Sequence, residues 1–77
     1  MTNPNIAFGK LVASLRQSAQ LSQEELADRA AIHRTYVSQL ERGLKSPTLV
    51  TLFRLSKALD TTPSKLVRQL ETDLGGI

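Results

Sequence analysis

The chain has 77 residues, no cysteine and one histidine, and it carries a formal net charge of +3. This length predicts a single domain over residues 1–77, too small to enclose a substrate pocket. The absence of cysteine excludes disulfides and thiolate metal sites, and one histidine cannot form a zinc site. Because no membrane span or signal-peptide pattern is visible, we expect a cytoplasmic protein without a cofactor or a membrane contact.

The positive charge is concentrated in one part of the chain. Residues 33–57 contain five Lys or Arg residues and one Glu, a net charge of +4, whereas residues 20–32 carry −2. A localised basic segment is typical of a surface that binds a polyanion. The same pattern also occurs on helices that are only solvated, so the charge alone decides nothing.

The first predicted helix covers about residues 5–19 and follows a polar segment, residues 1–5, that we expect to be a loose arm. Its apolar residues recur at helical spacing: Phe8, Leu11, Val12, Leu15 and Ala19. The second helix begins after Ser22, because Ser22 and Glu25 form the S-x-x-E pattern of a capping box. Leu21 and Leu26 are spaced as a hydrophobic staple across this start.

A turn over residues 31–33 leads to a third helix over about residues 34–42, with Gly43 as its terminator. The two helices and the turn form a helix-turn-helix over about residues 22–42. Val37 and Leu40 are expected to face the core. The outer face then presents hydrogen-bonding groups and no acid: Arg34, Thr35, Ser38 and Gln39, flanked by His33 and Tyr36.

These outer side chains fit the chemistry of the DNA major groove. Arg contacts guanine with two hydrogen bonds, Gln contacts adenine, and a Thr methyl can meet the thymine methyl. We therefore predict that Arg34, Thr35 and Gln39 contact bases. A merely solvated helix would more often mix Glu with Lys on this face.

Two further helices follow a loop over residues 44–47. Ser46 is predicted to cap the fourth helix, with Pro47 at its first position, and the helix runs to about residue 59 with Leu49 among its packing residues. Thr62 and Pro63 repeat this start for the fifth helix, which ends near residue 70 or 74, before two glycines, Gly75 and Gly76. No strand pattern is visible, so the fold class is all-α with five helices.

The last two helices carry more apolar surface than a core of this size requires. Ordinary core packing is one interpretation, and a two-fold homodimer interface over about residues 49–74 is the other, which we prefer. Its candidate residues are Val50, Phe53, Leu66, Val67, Leu70 and Leu74.

The segments LSQEELADRA and RTYVSQLERG, followed by SPTL, resemble the lambda-repressor-like helix-turn-helix family of Cro and repressor type. The resemblance covers about residues 8–70, and the chain length and the RTYVS run resemble the controller proteins of restriction–modification systems. It implies DNA backbone contacts by Gln23 and, at or beside the backbone-contact positions, by Tyr36, Arg42 and Lys45. We add His33 and Ser38 as further candidates for backbone contacts. The resemblance also implies a structural ion pair between Arg16 and Glu41. Two departures are Ala31, where the family has Gly in the turn, and His33, a poor helix cap.

The predicted function is therefore sequence-specific binding of double-stranded DNA by a homodimeric transcription regulator at a pseudo-palindromic operator. RNA polymerase is a candidate protein partner, and no small-molecule ligand is expected. An antitoxin or protein-interaction module that binds DNA mainly with a partner protein is the alternative. Catalysis is disfavoured, because the sequence has no nucleophile motif, glycine-rich phosphate loop or carboxylate pair.

Overall fold

A computed structural model describes residues 3–75 of the chain. Over these residues there are five helices and no strand, which confirms the predicted all-α fold: α1 Pro4–Ser18, α2 Gln23–Ala30, α3 Arg34–Glu41, α4 Leu49–Ala58 and α5 Pro63–Asp73. None of these helices combines the length and the apolar content that crossing a bilayer requires. Gly76, predicted to follow the last helix, lies outside the described residues, as do residues 1 and 2 of the predicted arm.

The start of α1 differs from the prediction. The Asn3 side chain caps the helix, since its Oδ1 accepts a hydrogen bond from the backbone N–H of Asn5 at 2.8 Å, and Pro4 occupies the first turn. Asn at the cap followed by Pro inside the first turn is a favourable start. Residues 3–5 are therefore part of the helix and its cap rather than a loose arm.

The start of α4 also differs from the prediction. Ser46 was the expected cap, but the helix begins after Thr48, whose Oγ1 accepts a hydrogen bond from the Thr51 backbone N–H at 3.1 Å. The Ser46 side chain instead contacts α1, since its Oγ donates a hydrogen bond to Asn5 Oδ1 at 2.8 Å. Pro47 consequently lies in the loop before the helix.

The five helices enclose one hydrophobic core. Nine buried side chains form it: Phe8, Val12, Leu26, Ala27, Ala30, Val37, Leu40, Leu55 and Leu66. Helix α3 packs between α1 and α2, while α4 covers α2, and α5 closes the core against α1 and α4. The expectation that Leu49 packs inside was wrong, because this residue at the start of α4 is 75% exposed.

Helices α1 and α3 approach each other very closely at Gly9. A Cβ atom at this position would lie 2.6 Å from the Glu41 carbonyl oxygen and nearer still to that of Leu40. Real Cβ atoms do not come this close to backbone oxygens, so only glycine fits here. The end of α3 is thereby set directly on the backbone of α1.

The turn between α2 and α3 has the conformation that usually selects glycine. Ala31 ends α2 with φ 56° and ψ 43°, in the left-handed region, as the departure from the family pattern implied. The Arg54 guanidinium donates a hydrogen bond to its carbonyl oxygen at 3.3 Å, which ties the turn to α4. A side chain in this region costs about 1–2 kcal/mol relative to glycine.

We therefore expect Ala31→Gly to stabilise the domain by about 1 kcal/mol, because it removes the Cβ strain of the turn. Urea denaturation measures this change. Ala13→Gly, inside α1, is the matched control and should lower the free energy of unfolding by about 1 kcal/mol. If both glycine variants were destabilised equally, the turn would not store the strain assigned to it.

Candidate nucleic-acid interface

Helix α3 has one buried side and one open side. Val37 is 0% and Leu40 1% exposed, and they fix the inner side of the helix in the core. Arg34 and Thr35 are exposed at the first turn, and Gln39 is half-buried one turn later. Ser38, also half-buried, lies on the same side. The structure thus presents the three predicted base-contacting residues together on a surface with no acidic side chain between them.

His33 caps α3 with its imidazole ring. The Thr35 backbone N–H donates a hydrogen bond to His33 Nδ1 at 3.2 Å, and the His33 backbone is extended. The helix therefore begins at Arg34, although histidine is not among the usual cap residues. Arg34 and Thr35 are its first two residues.

A cluster of polar side chains connects the end of α3 to α1 and α2. Arg16 Nε donates to Glu41 Oε2 at 2.7 Å, and Arg16 Nη2 donates to Oε1 at 3.1 Å. The two residues predicted as an ion pair are thus in bidentate contact. Their side chains are only 13% and 7% exposed, and the hydrogen bond from Arg16 to Glu41 raises the pKa of Arg16. Bidentate pairs of this kind fix orientation as well as distance.

The same carboxylate holds Gln23. Gln23 Nε2 donates to Glu41 Oε1 at 3.0 Å, across the two helices of the helix-turn-helix. Arg16 Nη1 also donates to the Leu21 carbonyl oxygen at 2.8 Å, just before α2. Glu41 therefore has its negative charge neutralised by Arg16 and fixes the first residue of α2 relative to the end of α3.

Hydrogen bonds hold the segment after α3 against that helix. Gly43 ends the helix with φ 75°, and the Leu44 N–H donates to the Gln39 carbonyl oxygen at 2.9 Å. The hydroxyl of Tyr36 donates to the Ser46 carbonyl oxygen at 3.4 Å. The other two predicted backbone-contacting residues near this segment, Arg42 and Lys45, are exposed.

Asn5 was not among the predicted site residues. It accepts the hydrogen bond from Ser46 Oγ and so connects this loop to α1. The two residues are 41 positions apart, and neither belongs to a local motif that could have indicated the contact.

A second surface lies on α4 and α5. Val50 and Phe53 are each 60% exposed, and Val67 is 42% exposed. We call these three residues the apolar patch. Leu66 was predicted in the same interface, but that prediction was wrong, because its side chain is 2% exposed and belongs to the core. Leu70 is half-buried against the same core, and Leu74 is half-buried.

Comparison with known proteins assigns the class of the chain. A family model described as Helix-turn-helix (HTH_3) matches residues 12–66. The chain belongs to this helix-turn-helix family.

Its relatives narrow the class further. Control protein C.BamHI of Bacillus amyloliquefaciens is 39% identical over 66 residues, which are 84% of this chain and 82% of that protein. Control protein C.SmaI of Serratia marcescens is 46% identical over 56 residues, or 73% of this chain and 67% of the relative. The crystal structure of the restriction-modification controller protein C.AhdI from Aeromonas hydrophila matches with a TM-score of 0.78 and 39% identity, over 80% of this chain and 94% of that one. The resemblance to helix-turn-helix regulators and controller proteins is confirmed.

Proposed function

We propose that the chain is a sequence-specific DNA-binding transcription regulator of controller type that acts on operator DNA in the cytoplasm. The proposal rests on the chemistry of the outer side of α3. This side presents polar side chains and no acid, on a helix whose inner side is held by Val37 and Leu40 and whose last residue is held by the Glu41 ion pair. A rigid helix of this kind fits the major groove.

The side chains of this helix divide into two roles. Arg34 would contact guanine, Gln39 adenine and Thr35 a thymine methyl group, since these pairs match in hydrogen bonding and shape. Contacts to phosphate would set the position of the helix on the duplex without specifying sequence. We assign these phosphate contacts to Gln23, His33, Tyr36, Ser38, Arg42 and Lys45.

Electrostatics support this assignment. Arg34, Arg42 and Lys45 are all exposed on α3 or the loop after it. Glu41 is the one acid in this part of the chain, and its charge is paired with Arg16 rather than directed at DNA. Each phosphate neutralised by a basic side chain releases counterions, so binding should weaken as salt rises.

We further propose that two copies associate through the apolar patch, with Leu74 at its edge and Leu70 contributing the part of its side chain that the core leaves open. Three large apolar side chains exposed on adjacent helices form a surface that water solvates poorly. A two-fold dimer would place the two α3 helices about 34 Å apart, one turn of B-DNA. The operator would then be a pseudo-palindrome, and a dimer bound beside a promoter would have RNA polymerase as a further partner.

The substitution Phe53→Glu is expected to make the protein monomeric at micromolar concentrations, because it places two like charges in a two-fold contact. Sedimentation equilibrium measures the change. Leu44→Glu is the matched control, since Leu44 is equally exposed at 61% but lies in the loop after α3, and it should leave the mass unchanged. Identical masses for wild type and Phe53→Glu would show that the patch is not the interface.

Selection of bound sequences from a random DNA pool tests the function itself. The purified protein alone should enrich a two-fold site with its half-sites one helical turn apart. Enrichment of a single half-site would support sequence-specific DNA binding but contradict the proposed dimer. If no sequence is enriched at moderate salt, the regulator proposal fails, and the antitoxin or partner-dependent alternative is tested next by co-purification.

A further inference from the structure

The helix that carries the predicted base contacts is capped by the only histidine of the chain. His33 Nδ1 accepts the hydrogen bond from the Thr35 backbone N–H at 3.2 Å. This bond orders the first turn of α3. Arg34 and Thr35, two of the three predicted base-contacting residues, are in that turn.

The direction of this hydrogen bond specifies one chemical form of the ring. A ring nitrogen can accept a hydrogen bond only if it carries no proton, so Nδ1 is unprotonated and the proton of the neutral ring is on Nε2. An imidazolium ring carries protons on both nitrogens and accepts nothing. A protonated His33 therefore cannot cap the helix, whereas a Ser, Asn or Asp cap would not depend on pH in the neutral range.

We infer that His33, in its neutral Nε2–H form, is a positioning residue for the base contacts of Arg34 and Thr35, and that its protonation releases the start of α3. The inference rests on the proposed function. Protonation also adds a positive charge beside the DNA, and this charge attracts phosphate regardless of sequence. Acidification should therefore weaken the discrimination between operator and non-specific DNA while leaving non-specific binding equal or stronger.

Few other groups act on the ring. The charged residues nearest to this turn in sequence are Arg34 at the start of α3 and Asp28 and Arg29 at the end of α2. Arg54 of α4 also reaches the turn, because its guanidinium contacts the Ala31 carbonyl. None of them hydrogen-bonds to the imidazole ring, and the Thr35 N–H is its only hydrogen-bond partner over residues 3–75. Histidine is the side-chain type whose charge ordinarily changes between pH 5 and 8, which sets the two pH values to compare.

The experiment compares wild type with His33→Asn at pH 7.5 and 5.5. Asparagine is a good helix cap that does not titrate, so the variant keeps the cap and loses the pH dependence. Loss of the phosphate contact proposed for His33 would weaken binding to operator and non-specific DNA alike, because such a contact does not depend on sequence. The operator found by selection and a scrambled duplex of equal length are the two ligands, and the ratio of their affinities is the readout. For wild type the ratio should fall about three- to tenfold at pH 5.5, because the loss of a helix cap has a cost of this size. For His33→Asn it should change less than twofold.

Two results would overturn the inference. The first is a wild-type ratio that does not change with pH, and the second is an equal fall in both proteins. A wild type with no operator preference at pH 7.5 refutes the proposed function instead, which separates the two failures.

Nuclear magnetic resonance of the free protein supplies a second measurement that needs no DNA. The ¹⁵N shifts of the ring should show the Nε2–H tautomer at pH 7.5, and the Thr35 amide resonance should move with the His33 titration. A ring protonated on Nδ1 at pH 7.5, or a Thr35 amide indifferent to the titration, overturns the cap assignment.

Discussion

Arg34→Ala is expected to reduce operator affinity on the order of a thousandfold. Loss of a bidentate contact to guanine costs about 1–3 kcal/mol of discrimination, and a two-fold complex loses it twice. The side chain is exposed and makes no hydrogen bond within residues 3–75, so folding should be unaffected. Titration of a fluorescent operator at fixed salt measures the loss, and repeated selection should show relaxed preference at one position of each half-site.

The matched control is Arg68→Ala. Arg68 is an exposed arginine on α5, and its removal changes the net charge by the same amount. Operator affinity should fall less than threefold in this variant, and sequence preference should stay intact. Equal losses in the two variants would mean that Arg34 contributes only long-range charge, and its assignment as a base-contacting residue would then be wrong.

Gly9→Ala is expected to destabilise the domain by about 3 kcal/mol, at the upper end of the cost of overpacking a core. The added methyl group would meet the carbonyl oxygens of Leu40 and Glu41, which are backbone atoms and cannot rotate away. Small domains have about 5–15 kcal/mol of stability in total, so this is a large fraction. The midpoint of thermal unfolding should fall by roughly 12–24 °C.

Circular dichroism during heating measures the midpoint, with Ser14→Ala as the control. Ser14 is exposed on the same helix, so its replacement by alanine should raise stability slightly through helix propensity. Because the end of α3 packs directly on Gly9, the substitution should also shift α3. Operator binding by Gly9→Ala should therefore fall even at temperatures where the variant is folded. Unfolding of both variants at the same temperature would contradict the close approach of α1 and α3.

Local motifs were sufficient to predict most of the fold. The capping box of Ser22 and Glu25 is present, with the Ser22 N–H donating to Glu25 Oε1 at 2.9 Å and the Glu25 N–H to Ser22 Oγ at 3.0 Å. The pKa of the Glu25 carboxyl is lowered mainly by its hydrogen bond with the Ser22 backbone N–H and, to a smaller extent, by its interaction with the Ser22 hydroxyl. Thr62 and Pro63 begin α5 as predicted, and Gly43 ends α3 with positive φ. Each of these signals acts within four residues and so is visible in the sequence.

The errors have a common physical origin. Ser46-Pro47 and Thr48 are competing starts for α4, and the choice depends on Ser46 being bound to Asn5, a contact that exists only in the folded chain. Leu66 and Val67 are neighbours on α5, and the crossing of α5 over the core decides which of them is buried. Spacing identifies the apolar residues of such a helix but not the direction in which each one points.

The candidate site was predicted by a different route. The outer residues of α3 followed from helical spacing once Val37 and Leu40 were placed inside. The Arg16–Glu41 pair came only from the family resemblance, because 25 residues separate its members. The contact from Gln23 to Glu41 makes a residue of α2 part of the same polar cluster.

The way α3 is attached has a consequence for engineering new operator preferences. The helix is attached to the rest of the domain by Val37, Leu40, Glu41, the Tyr36 hydroxyl and the packing of its backbone on Gly9. None of these attachments uses the side chain of residue 34, 35, 38 or 39. Positions 34, 35, 38 and 39 can therefore be randomised together as a library while the scaffold stays constant. The variants in such a library would differ only in the DNA-contacting side chains, and their folding stabilities should be similar even where their preferred DNA sequences differ.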